Sequence, residues 1–157
     1  MNAPINISQI HDIYIRTVNL AIKSDHFYKS MQQLKERMGG DDAFRLFLEK
    51  KIVSRRKLTL ALFKYINDYS IAQNLPNLLN RPPAIFWLNE NSVMDCCGTE
   101  EALQLILSAE LKSEAEYTFL LQKNYITNDI RSLVQDHIVN LKNSEKSYKP
   151  KRTLQNI

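Results

Sequence analysis

Four stretches in which apolar side chains return every three or four residues, with only two clusters of chain-breaking residues among them, confine this sequence to long helices. Three glycines and five prolines are present, and most of them fall at Gly39-Gly40 and between Pro76 and Pro83. So few breakers leave no room for the turns of a many-stranded sheet. With 157 residues and an apolar fraction of 44%, the chain can fill one core. The expected class is all-α, and the expected architecture is an up-and-down four-helix bundle. A single domain over residues 1–148 and a flexible basic tail over residues 149–157 are expected.

Each expected helix carries its own start and stop signals. Ser8 is expected to cap a first helix over 8–38, which Gly39-Gly40 would close with a left-handed turn. Its inner face reads Tyr14, Thr17, Ala21, Ser24, Tyr28 and Met31, where the small and hydroxylated residues leave space for a neighbour's long side chain. Asp41 caps the second helix, over 41–73, and the short link makes these two helices antiparallel neighbours. Phe44, Phe47, Leu48, Leu58 and Leu62 form its apolar stripe, with Lys51 and Arg55 in the gap. There Lys51 is expected to snorkel outward and Arg55 to point inward.

Periodicity breaks between Asn74 and Gly98. Ala84 to Asn89, with Phe86, Trp87 and Leu88, is expected to form a short helix lying as a lid across the bundle. Thr99 is expected to cap a third helix over 99–124, with Glu100 and Glu101 complementing its dipole. Thr127 opens the fourth, over 127–148, and Pro150 lies beyond its end.

Charge and cysteine usage narrow the function classes. The formal charge is +4, but Lys50 to Lys57 and the tail from Lys146 to Arg152 are small basic clusters among interleaved acids. They read as solvated surfaces rather than a nucleic-acid or membrane footprint, so an anion-binding adaptor is only a third reading. No leader pattern and no run of about eighteen apolar residues occurs, which favours the cytoplasm. Adjacent Cys96 and Cys97 cannot form an ordinary bridge with each other and, without further cysteines, make a poor zinc site.

The polar residues within the apolar stripes carry the functional question. Glu110 and Glu114 lie on the stripe of the third helix with Leu103, Ile106, Tyr117 and Leu121, and His137 lies on that of the fourth. Counting along each helix from the two short turns places Ser24 or Asp25, Arg55, Glu114 and His137 at one height. An ion pair between Arg55 and Glu114 is the expected centre of that layer. No nucleophile, phosphate loop or cofactor motif accompanies these residues, so a catalytic role for Glu114 and His137 is the weaker reading.

The helix order, the short first and last turns, and the stretches His26-Phe27-Tyr28, Phe86-Trp87 and Ser113-Glu114 resemble the ferritin-like superfamily. Within it, the nearest likeness is a small uncharacterised bacterial family of ferritin-like four-helix bundles. The resemblance implies a central carboxylate and histidine metal site, to which Glu110, Glu114, His137, and Asp25 or His26 would correspond. Glu49-Lys50-Lys51-Ile52 stands where Glu-x-x-His would be required, and Val134 stands three residues before His137, so the site is degenerate. The leading expectation is a non-enzymatic scaffold, interaction or stress-associated protein that self-associates and carries no cofactor. The alternative is an iron- or manganese-binding, oxidase-like bundle.

Overall fold

The computed structural model describes residues 6–38, 40–79 and 85–145, and its regular elements are all helices: α1 (Ile7–Arg37), α2 (Asp42–Ala72), α3 (Glu90–Asp95), α4 (Thr99–Leu121) and α5 (Asn128–Glu145). No strand occurs among the described residues. The long helices form a ring in the order α1, α2, α5, α4, with each packed on its two neighbours. At about 1.5 Å per residue, α1 and α2 are rods of roughly 45 Å, long enough to form the frame on which the shorter α4 and α5 rest.

The helix ends follow local chemistry. α1 starts earlier than the Ser8 cap implies, because Asn6 and Gln9 form a reciprocal capping box, with Gln9 N donating to Asn6 Oδ1 at 2.9 Å. Asp41 caps α2 as expected, accepting from Phe44 N at 3.0 Å. α2 closes with Asn74 in the left-handed region at φ 52°, while Leu75 N donates to Ser70 O at 2.8 Å and Asn74 N to Ile71 O at 3.3 Å. This is a Schellman ending with asparagine in the usual glycine place. At the α1 to α2 turn Gly40 does not adopt positive φ, and Gly39 lies outside the described residues. α4 begins after Gly98, which supplies no side-chain cap, so Thr99 is its first residue rather than its cap. Thr127 does cap α5, its Oγ1 accepting from Ile130 N at 3.4 Å. Tyr148, Pro150 and the basic tail lie outside the described residues.

Side-chain pairs fix the helix directions. Lys51 meets Glu110 and Arg55 meets Ser113 and Tyr117, so α2 and α4 advance together and run parallel across the bundle diagonal. α1 and α4 run oppositely, since Asp12, Arg16 and Lys23 meet Tyr125, Phe119 and Glu116 in reverse order. Strict up-and-down alternation therefore fails at its midpoint. The connection from α2 to α4 meets α1 at two heights, where the Tyr14 hydroxyl bonds to Pro76 O at 2.6 Å and where Phe86 stacks on His26 and Trp87 is set against Phe27.

The short helix in that connection is α3, downstream of the expected 84–89 segment. Asn89 starts it by accepting from Asn91 N and Ser92 N, whereas Trp87 and Leu88 are buried without being helical. Ala84 lies outside the described residues. Burial decided the conformation here: Trp87 reaches the core in irregular chain.

Candidate functional site: a buried cationic layer

Strict alternation of three- and four-residue steps selects the inward-facing residues of α2 and α4. On α2 these are Phe44, Leu48, Lys51, Arg55, Leu58 and Leu62; on α4 they are Leu103, Ile106, Glu110, Ser113, Tyr117 and Leu120, all buried. Two cations from one helix thus face one carboxylate and two hydroxyl groups from the other.

Lys51 is buried, contrary to the snorkelling expected of it, because a carboxylate faces it at its own height. Its Nζ lies 2.6 Å from Glu110 Oε1, with side-chain exposures of 3% and 2%. It also sits 5.0 Å from the centre of the Phe47 ring, whose electron-rich face attracts it. A buried ammonium without such neighbours would carry a desolvation penalty of several kcal/mol.

Arg55 points inward as expected, but its partners differ. One guanidinium nitrogen donates to Tyr117 Oη at 2.5 Å and another to Ser113 Oγ at 3.5 Å. Its Cζ lies 4.7 Å from the Phe27 ring centre and 5.6 Å from that of Trp87. The result is an aromatic cage, closed by Trp87 standing edge-on to Tyr117 at 5.9 Å. Among the described residues no carboxylate lies within ion-pairing distance of Arg55.

Glu114 is not in this layer. It is half-buried on the flank of α4, where its nearest cation is Lys142 at 3.7 Å. The expected Arg55 to Glu114 pair is therefore absent; the central carboxylate is Glu110, one turn earlier, and its cation is Lys51. Ser24 does belong to the layer. It shares a hydrogen bond of 2.8 Å with Thr59, whose hydroxyl also donates to Arg55 O at 2.8 Å. On α1, Asp25 pairs with Lys29 at 2.8 Å, while His26 meets Glu90 at 3.2 Å and stacks on Phe86. Neither joins Glu110.

His137 faces inward, 4% exposed, edge-on to Tyr117 with ring centres 5.6 Å apart. Its Nε2 is buried without a hydrogen-bond partner. Burial, and then the positive charges of Arg55 and Lys51, push its pKa down to about 2. The ring is therefore neutral at ordinary pH. Burial pushes the Tyr117 phenol upward, partly offset by Arg55, so it too stays neutral.

A cavity of about 50 Å³ adjoins the layer on its α5 side, lined by Lys50, Lys51, Ser54, Arg55, Glu110, His137 and Asn140 with Met31 and Leu141. Of the five residues that could correspond to metal ligands, only Glu110 and His137 border it. Lys51 Nζ stands against the Glu110 carboxylate where a cation would be required. The residues therefore do not fit a di-iron centre, which needs bridging carboxylates from several helices. Among the described residues no group of three or more His, Cys, Asp or Glu side chains converges as a metal-binding set.

Sequence reading missed the cavity, the inward turn of Lys51 and the Tyr117 to Arg55 bond. The strict alternation that places Ser113 and Tyr117 on the seam was the available signal. Elsewhere, Cys96 is buried, Cys97 is exposed and both thiols are free. No described helix is long and apolar enough to cross a membrane. Comparison with protein-family models, curated proteins and solved structures finds no match to this chain.

Proposed function

We propose that this chain is a non-enzymatic, ferritin-like helical bundle that acts as a scaffold or interaction protein, with protein cations in place of a central metal. The buried Lys51 to Glu110 pair carries this reading: an ammonium group neutralises the carboxylate that a metal would need. The parallel α2 and α4, joined by a crossover along the bundle, agree with a ferritin-like arrangement. The layer also favours no acid–base chemistry near neutral pH, since His137 is buried and held neutral.

Metal content tests the reading. After loading with ferrous iron, manganese or zinc and desalting, elemental analysis is expected to find no stoichiometric metal. A stoichiometric metal that is lost on Glu110→Gln would sink this proposal and favour the oxidase-like alternative.

The interaction role is supported by the outer face of α2. Leu46, Val53 and Leu60 are 54%, 67% and 55% exposed and recur at heptad intervals, the spacing by which two helices lie along one another. We take a second copy of this chain, antiparallel and centred on Val53, as the occupant. Leu46 then meets the second copy's Leu60, and Glu49 approaches Arg56 along one edge. Lys50 opposite Lys57 on the other edge opposes pairing, so the apolar stripe must drive it. Aromatic residues near the helix ends contribute less to this face. Tyr65 bonds Thr127 and Tyr125 bonds Asp12 within the chain, leaving Phe119 outside.

A further inference from the structure

Arg55 is 1% exposed, yet among the described residues its guanidinium is bonded only to the neutral hydroxyls of Tyr117 and Ser113 and enclosed by aromatic rings. Buried charges are ordinarily matched by an opposite charge, because desolvation of an unmatched ion is not recovered by neutral partners alone. Lys51 already faces Glu110. The nearest space in which a counter-charge could stand is the cavity of about 50 Å³ that Arg55 borders.

The cavity wall is made for an acceptor. Lys50, Lys51 and Arg55 bring positive charge, Ser54 and Asn140 bring hydroxyl and amide donors, and His137 borders the same space with a buried, unpartnered Nε2. In the tautomer that carries its proton on Nε2, His137 donates one hydrogen bond without adding charge. Glu110, the acid among the described residues of the wall, is engaged by Lys51 at 2.6 Å, which reduces its repulsion of a second anion.

We propose that this cavity binds one small monovalent anion, a halide or formate-sized ion, between Arg55, Ser54 and the Nε2–H of His137. The cavity volume excludes larger anions, and the low dielectric around a caged guanidinium strengthens attraction to a small one. Lys50 and Asn140, both exposed, form the rim through which the ion would pass.

Thermal unfolding of the full chain in chloride, against gluconate at equal ionic strength, tests the proposal. Gluconate is too large for the cavity and serves as the screening control. Once chloride exceeds its dissociation constant, each tenfold increase is expected to raise Tm by about 3–5 °C above the gluconate value. His137→Phe fills the space beside Arg55 and removes the donor. It should unfold cooperatively in gluconate and lose the chloride increment. Crystals grown in bromide should show anomalous density within the cavity, independent of how the variant folds. Equal Tm in the two salts, a chloride increment retained by His137→Phe, or water alone in the cavity of bromide crystals would each overturn the proposal.

Discussion

Lys51 and Glu110 stand 2.6 Å apart with almost no solvent contact, so each is held in the core by the other. Removing one partner of such a pair strands the second as a buried charge, whereas an exposed pair contributes little. Glu110→Gln is therefore expected to lower unfolding free energy by about 3–5 kcal/mol. Glu114→Gln should change it by less than about 1 kcal/mol. Urea titration of both variants checks the order, and a larger loss in the Glu114 variant would move the centre of the layer. His137 gives a second residue-scale expectation. Its folded-state pKa of about 2 lies below the ordinary value of 6.5, so between these values the unfolded chain binds a proton that the folded chain refuses. Stability should be unaffected by this group above pH 6.5 and fall as pH drops below it, by up to about 1.4 kcal/mol per pH unit. His137→Gln should flatten that slope between pH 6.5 and 5, before most carboxylates titrate. An identical slope in the variant would show that His137 is not buried neutral.

Elements were legible where the signal was periodic and less so where two residues competed for one role. Asp41 and Thr127 cap the helices the sequence assigned to them, while Ser8 lost to Asn6, whose partner Gln9 completes a box. On α4, Glu110 and Glu114 both lie within a helical turn of the apolar stripe, and chemistry drew attention to Glu114. The strict alternation Ile106, Glu110, Ser113, Tyr117 excludes it. Lys51 was misjudged because its fate depends on Glu110, which sits on a helix remote in sequence, and no local pattern reports that pairing. The expected layer still falls in the correct region of the bundle. Heights measured from opposite ends of the bundle coincide near its middle, so reversing α4 and α5 displaces the centre little. The end of α2 carries its own prediction. Asn74 at φ 52° pays part of the left-handed penalty that glycine avoids, so Asn74→Gly should be neutral or slightly stabilising. Asn74→Val should cost about 1–2 kcal/mol in chemical denaturation. Equal stability of the two variants would mean that this ending does not limit α2.

At the scale of the molecule, the core faces of α1, α2, α4 and α5 are consumed by one another, and the connection covers α1. The stripe of Leu46, Val53 and Leu60 on the outside of α2 remains uncovered among the described residues. It spans about 20 Å along the helix, which is short for an obligate interface, and its charged edges oppose one another. Association through it should therefore be weak and concentration-dependent, with the apolar stripe setting the affinity. Sedimentation velocity over a wide concentration range is expected to show a monomer–dimer equilibrium. Val53→Asp should shift it to monomer without lowering Tm, because the side chain makes no core contact to lose. Phe119→Asp, on α4 at the far side of the ring, should leave the equilibrium unchanged. Dimer loss from the α4 variant instead would move the interface to that helix, and a monomer at every concentration would remove self-association from the proposed function altogether.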